Sequence, residues 1–537
     1  MFRKISAAAA LVAVALPSIS ASTEAFATPE LASQCAALAS VDFAGTQDAP
    51  TRVTEAKLVR ASGDVPAYCL VRGYVAPQVG LELLLPITNW NGKFLHTGCG
   101  GFCGQAYAVA SCERPLGKGY ACIASDMGHQ GAAAEWAYDN LQAEVDYGFR
   151  ATHVTTLAGK AITERFYQST PARSYFMGCS TGGRQALVEA QRFPWDFDGI
   201  VAGAPAINLP ATLLNILWAS LASEDRDGKP IFSEQSVQTL HDAALAKCDM
   251  DDGLKDGIIS NPPACAFDPS TLVCKDGNRD NCISAAQAEA AKKIYRGPTT
   301  TDGKQLYRDG AMVGSELQFL GYQDHSPFSR DFFRFLGFMP DAGPNWQRQD
   351  FDFNRDYKRL GTMEALYHGS NPDLRKFKEQ GGKLILYHGW SDAGGGGIAP
   401  LKTVDYYETV EKTMGGRAAT QGFLRFFMVP GMGHCSGGTG ANDFDFLSYL
   451  EAWVEHGKAP DVMVGAHVDS DAFWRKAQTE NTDTEKLMAG WKAFLADPAS
   501  RTFTRPVYPY PAYAKYKGTG DPTKAENFVS GGLRRKP

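Results

Sequence analysis

The sequence contains no internal repeat, no run of basic residues and, beyond its first thirty residues, no uncharged apolar stretch long enough to cross a bilayer. Without a basic patch, nucleic acid is not expected as a partner. Without a spanning segment, the mature protein is not expected to be integral to a membrane. Cysteine is sparse, with twelve in 537 residues, so this is not a small scaffold held together by disulfides. No zinc-ligand spacing and no convincing cofactor fingerprint are present. Charge of either sign is in modest excess at most: 53 basic against 59 acidic residues give a net charge of −6. Apolar residues at 44% and charged residues at 21% are the balance of a globular chain and exclude wholesale disorder. The length exceeds one ordinary domain, so a large core with an insertion, or several domains, is expected.

Arg3 and Lys4 precede an apolar run from Ala7 to Leu16, and Ala25-Phe26-Ala27 resembles a cleavage site. Residues 1–27 therefore read as a signal peptide, with a cut after Ala21 as an alternative. The run is about ten residues, half of what a membrane anchor needs. The protein is expected to be secreted or periplasmic, where an even cysteine count favours disulfides.

Periodicity predicts strands at Leu81–Leu85, Lys93–Thr97, Tyr120–Ser125, Ser174–Met177 and Gly199–Ala202, with helices over Asp146–Tyr167 and Gln185–Arg192. The alternation stops after Pro205 and resumes with strands Lys383–Tyr387 and Leu424–Val429 and a helix from Phe444 to His456. This is an α/β pattern with a mostly parallel sheet. The expected organisation is a core over residues 28–206 and 373–537, with residues 207–372 as an insertion. The tail from Pro506 is expected to run over the surface.

Gly178-Cys179-Ser180-Thr181-Gly182 fits G-x-S-x-G between a strand and a helix, the setting that holds a nucleophilic serine at the carboxyl edge of a sheet. A glycine-rich turn with a capping serine is the plainer alternative. A serine hydroxyl needs a base, and the base an orienting carboxylate. In this architecture the chain order is Ser, acid, His, each on a loop after a strand. Asp392 follows the strand Lys383–Tyr387, and His434 follows Leu424–Val429. His388 competes for the role of base but sits closer to its strand end, as a core histidine would. Cys179 precedes the serine and Cys435 follows the histidine, so a triad would bring the two thiols together, and they are expected to pair. The bridge would close a span of 435 − 179 = 256 residues. Chain entropy alone sets an upper bound of about 5 kcal/mol on its contribution. Backbone N–H groups of Thr181 and of Gly101 or Gly100, in the loop Gly98–Gly104, are the expected oxyanion donors. Cys99 and Cys103 should stiffen that loop, with Cys112 and Cys122 as their expected partners and the pairing open.

The motifs Gly178-Cys179-Ser180-Thr181-Gly182-Gly183-Arg184-Gln185, His388-Gly389-Trp390-Ser391-Asp392 and Gly433-His434-Cys435 resemble the tannase and feruloyl esterase family. The resemblance extends over nearly all of the mature chain. It implies an α/β-hydrolase core with a lid domain over the site, and hydrolysis of esters of aromatic carboxylic acids. The expected partner is accordingly a small aromatic ester or an ester-decorated plant polymer. Ala393-Gly394-Gly395-Gly396-Gly397 departs from the bulkier, Pro-containing loop that relatives often carry after the acid, which puts the shape of the acyl pocket in question.

Asp249, Asp251, Asp252 and Asp256 fall within eight positions, a density of hard oxygen ligands that suits calcium, although the register is not that of an EF-hand. A solvated acidic turn is the alternative. The family resemblance implies a structural calcium held by the side chains of Asp249, Asp252 and Asp256 and the main-chain oxygens of Leu254 and Ile258. Cys248 with Cys265, and Cys274 with Cys282, are expected as local staples, and Cys35 and Cys69 are also expected to be disulfide-bonded. Phe328, Phe332, Phe333, Phe335, Phe338, Trp346, Phe351, Phe353 and Tyr357 crowd one part of the insertion. Most should form its own core, while any could stack on an aromatic acyl group. Arg330, Arg334 and Arg348 could meet a carboxylate or phenol. Ferulate, gallate and terephthalate monoesters all remain open as substrates. A lipase or peptidase on the same fold is the competing enzyme, and a non-catalytic, calcium-dependent binding protein the competing class.

Overall fold

A computed structural model describes residues 29–63, 65–106, 108–275, 281–308, 310–323, 327–469, 490, 493–494 and 497–532. The signal-peptide reading, residues 1–27, lies outside them. Nine strands form one sheet: β1 Thr51–Val59, β2 Tyr68–Val75, β3 Val79–Pro86, β4 Lys93–Thr97, β5 Ala121–Ser125, β6 Arg173–Cys179, β7 Gly199–Gly203, β8 Lys383–Gly389 and β9 Leu424–Val429. Their spatial order is β1-β2-β3-β5-β4-β6-β7-β8-β9. The first three pairings are antiparallel, and every pairing from β5 to β9 is parallel. The parallel strands read as short apolar runs because helices cover both faces: β5 and β7 are buried along their whole length. Helix Ala151–Tyr167 follows a five-residue π turn, Asp146–Arg150, so the predicted helix is divided at its start. Helix Thr181–Arg192 starts four residues earlier than predicted, directly after Ser180.

Adjacent strands β7 and β8 pair in register from Gly199–Lys383 to Gly203–Tyr387, yet residues 204–382 lie between them in sequence. That segment is built of helices and 3₁₀ turns, with no sheet strand among its described residues. Its helices start at side-chain caps: Asn208 accepts from Ala211 N–H, and Ser233 and Ser284 each close a capping box. It packs in two ways. Phe232, Leu240, Ile294 and Phe319 make a separate apolar cluster. Leu213, Leu217, Phe332, Phe333 and Phe338 instead join the cluster that backs the sheet.

Two expectations need correction. Cys99 pairs with Cys103, and Cys112 with Cys122, rather than one pair with the other. The first bridge closes a tight loop after β4, where Gly101 and Cys103 take positive φ and fold the two cysteines together. The second joins Cys112, at the start of a short helix, to Cys122 in β5. The C-terminal segment is also more than a surface run. It supplies β11 Arg501–Val507, which pairs with β10 Met463–Val468, and the hairpin of β12 Ala512–Tyr516 and β13 Phe528–Gly532. Tyr510 is buried against Phe426 and Tyr407, and its N–H donates to Phe426 O, so the Tyr and Pro residues that suggested exposure anchor the tail to the outer strand.

Candidate active site

Ser180 stands at the end of β6 with φ 65° and ψ −121°, a conformation outside the ordinary regions for an L-residue. The turn is held from both sides, since Ser180 N–H donates to Gly203 O at the end of β7 and Ser180 O accepts from Ala206 N–H. The glycines around it are steric necessities. A Cβ at Gly178 would lie 2.6 Å from Gly182, and one at Gly183 would lie 2.2 Å from Gly203 O. The motif therefore presents its serine on a sharp strand-to-helix turn, with the first-turn N–H groups of the helix beside it.

The loops after β8 and β9 bring Asp392 and His434 together, with His434 Nδ1 2.8 Å from Asp392 Oδ2. Asp392 is fully buried and accepts two further bonds: from Ile398 N–H to Oδ1 at 2.7 Å, and from His388 Nε2 to Oδ2 at 3.1 Å. His388 is also fully buried. Its Nε2 faces two acceptors, Asp392 and Ile398 O at 2.9 Å, so that nitrogen carries the proton, while Nδ1 accepts from Thr403 Oγ1 at 2.8 Å. The competitor for the base is thus a donor that fixes the acid. Burial works against ionisation of Asp392, but His434 opposite and the bonds from His388 and His434 prevail and hold its carboxyl below the ordinary value. Burial likewise disfavours a charged His434 ring, and the Asp392 carboxylate outweighs it, raising the imidazole above its ordinary 6.5. With Nδ1–H committed to Asp392, Nε2 is the free basic nitrogen.

Cys179 and Cys435 are bridged, with their Cα atoms 5.9 Å apart, so the residues flanking Ser180 and His434 are covalently joined. Cys35–Cys69, Cys248–Cys265 and Cys274–Cys282 are bridged as expected.

The loop after β4 packs directly on the serine turn. A Cβ at Gly98 would sit 2.7 Å from Gly182 Cα. Gly101 and Thr181 line one pocket with Ser180. Gly101 O is held by Thr181 Oγ1 at 2.7 Å and Tyr147 OH at 3.0 Å, which fixes the peptide plane. Gly100 O accepts from Cys103 N–H at 3.0 Å. Two residues behind this arrangement were not singled out from the sequence. Tyr147 lies in the π turn. Arg184, in the GGRQ stretch, is fully buried, donates to Gly148 O and Tyr147 O, and lies 4.8 Å over the Tyr147 ring. A charged residue three positions into an otherwise small, tightly packed motif was the available signal.

From the insertion, one face of helix Leu209–Ala222 and the half-buried ring of Phe328 complete the pocket. Phe332, Phe333, Phe335, Phe338 and Phe351 are buried in apolar clusters instead. Arg330 and Arg334 pair with Asp331, and Arg348 with Glu224, so these guanidinium groups serve the insertion's own structure.

In the acidic loop, Asp249 and Asp252 are buried, and neither has a cationic partner among the described residues. Asp249 accepts from the N–H groups of Asp256 and Gly257, and Asp252 from Leu254 N–H and Ser260 Oγ. Asp256 accepts from Ile258 N–H and pairs with Arg505 at 2.7 Å. Burial first, and then the neighbouring carboxylates of Asp256 and Asp249, push Asp252 up to about 6. Asp251 is exposed. Buried carboxylates lacking a counter-charge, on a loop rich in oxygen donors, fit a hard divalent cation. Among the described residues, ligand atoms from three or more His, Cys, Asp or Glu side chains lie within 4.8 Å of one another only at His153, Glu189 and Asp196.

A family model described as tannase and feruloyl esterase matches residues 63–531. The chain belongs to the tannase and feruloyl esterase family and is a carboxylic ester hydrolase with an α/β-hydrolase fold. It is 34% identical to a mono(2-hydroxyethyl) terephthalate hydrolase of Piscinibacter sakaiensis, over 87% of this chain and 85% of that one. It is 33% identical to a probable feruloyl esterase of Arthroderma benhamiae, over 84% and 83% respectively. The crystal structure of feruloyl esterase B from Aspergillus oryzae superposes with a TM-score of 0.78 at 26% identity, covering 93% of this chain and all of the other. No helix among the described residues is long and apolar enough to cross a membrane.

Proposed function

We propose that the protein is a secreted or periplasmic serine esterase that hydrolyses esters of aromatic, phenolic acids, such as feruloyl or galloyl esters, through an acyl-enzyme. The observation that carries this reading is the 2.8 Å bond between His434 and buried Asp392, on a loop bridged by Cys435 to the residue before Ser180. Ser180 Oγ attacks the ester carbonyl as His434 Nε2 takes its proton. The tetrahedral oxyanion lies against the N–H groups of Thr181 and Gly101, each worth roughly 3–4 kcal/mol. His434 then returns the proton to the departing alcohol as the C–O bond breaks. Water, deprotonated by the same nitrogen, attacks the acyl-enzyme, and Ser180 leaves reprotonated with release of the acid. A peptidase or general lipase on this fold has no observation in its favour, and the names of the relatives, a terephthalate monoester hydrolase and a probable feruloyl esterase, support esters of aromatic acids.

The inserted segment 207–372 acts as the lid, supplying Phe328 and the helix face above Ser180. The acidic loop holds a structural calcium through Asp249, Asp252 and Asp256 and the oxygens of Leu254 and Ile258; the ion offsets buried negative charge and takes no part in the reaction. Initial rates on methyl ferulate, methyl gallate, a terephthalate monoester and p-nitrophenyl acetate, with labelling of Ser180 by a serine-directed phosphonate, test the proposal. Turnover of an aromatic ester with modification at Ser180 is expected. Failure to hydrolyse any of the four, with Ser180 unlabelled, would overturn it.

A further inference from the structure

The pocket beside Ser180 is apolar and contains no side chain charged at neutral pH among its described lining residues. Helix Leu209–Ala222 lays Leu209, Thr212, Leu213 and Ile216 along it, an i, i+3, i+4, i+7 stripe in which Thr212 is the single polar member. The Thr212 hydroxyl is buried and has no hydrogen-bond partner among the described residues. That is unusual for a helical threonine, whose hydroxyl ordinarily bonds the carbonyl four residues back. Thr156, Thr239, Thr409 and Thr420 all do so in this molecule, at 2.7–3.0 Å. Thr155 and Thr163 share the missing partner, but neither lines this pocket.

Four residues with hydroxyl groups line the pocket. Thr181 and Tyr147 both spend their protons on Gly101 O, and Ser180 is the proposed nucleophile. Apart from the proposed nucleophile, Thr212 alone among them has its hydroxyl proton uncommitted to a partner among the described residues. A buried hydroxyl without a partner is costly, so one on a residue that lines a binding site is a place where a ligand atom can complete the bond.

We propose that Thr212 is the acyl-specificity residue, and that its hydroxyl pairs with an uncharged oxygen substituent, a phenol hydroxyl or a ring ether, on an aromatic acyl group. The proposal rests on Ser180 being the nucleophile of an esterase. It names the acid that the pocket prefers: a ring bearing neutral oxygen, in preference to a bare ring, which leaves the hydroxyl unpaired, or a second carboxylate, which finds no cation in the described lining.

The test is Thr212→Val, which keeps the branched shape and removes only the bond. Rates are compared on matched methyl esters: 4-hydroxycinnamate against cinnamate, and 4-hydroxybenzoate against benzoate, with monomethyl terephthalate and p-nitrophenyl acetate alongside. The wild type is expected to favour the hydroxylated member of each pair that it accepts. Thr212→Val should lose on the order of 10-fold in kcat/KM on those members, the worth of one neutral hydrogen bond. Any loss on the bare rings and on p-nitrophenyl acetate should be several-fold smaller, so that the ratio of kcat/KM within each hydroxylated and bare pair falls, and the variant should melt no lower than the wild type. Equal loss on hydroxylated and bare rings, no change on either, or a wild-type preference for monomethyl terephthalate would overturn the proposal. Failure of the underlying esterase reading looks different: the wild type would hydrolyse none of these esters, p-nitrophenyl acetate included.

Discussion

The loops at the carboxyl edge of the sheet and the segment inserted between β7 and β8 are built on different principles. Ser180, Asp392 and His434 follow β6, β8 and β9, parallel strands whose order and spacing the sheet dictates. Their mutual position is then locked by the Cys179–Cys435 bridge across 256 residues and by donors converging on buried Asp392. The insertion has no such lattice. Its disulfides are local, closing 17 and 8 residues, and its helices begin at individual caps. A framework shared with the sheet can place reacting atoms reproducibly, whereas a helical insertion with local staples can change its lining without moving them. Reaction chemistry and substrate choice are therefore expected to respond to different mutations.

The sharpest break in that comparison is Ser180→Ala, expected to cut kcat by on the order of 10⁴-fold or more at unchanged melting temperature. Near wild-type activity in that variant would remove the catalytic side of the comparison altogether. Next in size are the two disulfide removals. Cys179→Ser with Cys435→Ser should lose about 2–5 kcal/mol of stability and lower kcat in the protein that remains folded. Cys248→Ser with Cys265→Ser closes a far shorter loop, so it should destabilise less and leave kcat near wild type when assayed well below its melting point. Equal effects of the two pairs on kcat would show that the long bridge does not hold the reacting groups.

The same contrast explains what the sequence revealed. Parallel strands appear as short apolar runs, and their order told where a base and an acid belong, so Asp392 and His434 stood out among many acids and ten histidines. The long disulfide was legible because its cysteines abut those residues. The pairing among Cys99, Cys103, Cys112 and Cys122 stayed open, with the first two expected to bond the last two, because four nearby cysteines carry no periodicity to separate a loop-closing bridge from a helix-to-strand one. Tyr147, Arg184 and Thr212 were missed for another reason. Each is told apart by where its side chain sits: Tyr147 on Gly101 O, Arg184 on the Tyr147 backbone, and Thr212 in the lining of the pocket. An apolar helix such as Leu209–Ala222 shows no preferred face in sequence, so the wall that lines the pocket becomes visible only when the fold sets it over Ser180.

His388 offers a finer test on the sheet side. It donates to Asp392 without being placed to touch substrate, which makes it a positioning residue. His388→Leu should lower kcat roughly 10-fold, as expected for loss of a bond to a charged group, and His388→Gln should restore much of it. The pH profile separates this role from simple packing. His434 must be neutral to accept the serine proton, and Asp392 raises its pKa, so activity should fall on the acid side with a midpoint above 6.5. Without the His388 donor, Asp392 binds the His434 proton more tightly, and that midpoint should move further up. The linkage to stability has opposite signs for the two partners. The raised pKa of His434 contributes stability fully present below its unfolded value of about 6.5 and lost as pH rises through the folded one. The lowered pKa of Asp392 contributes stability present above its unfolded value and lost as pH falls through the folded one. A limb unmoved in His388→Leu would reduce His388 to core packing.

Of these treatments, a chelator aimed at the proposed calcium should have the smallest effect on the chemistry, and that smallness is the point. Asp249 and Asp252 are buried without a cationic partner among the described residues, and Arg505 compensates only Asp256. A divalent ion bound to the folded loop and not to the unfolded chain stabilises by mass action. Excess chelator should therefore lower the melting temperature by at least about 2 °C while leaving kcat at 25 °C unchanged. Asp252→Asn should reproduce that shift and make the protein insensitive to chelator, because the ligand set is already broken. If the chelator leaves the melting temperature of the wild type where it was, the loop is an acidic turn satisfied by its own N–H groups. If it abolishes activity at temperatures where the fold persists, the insertion and the catalytic loops are coupled, and the division of labour between them fails.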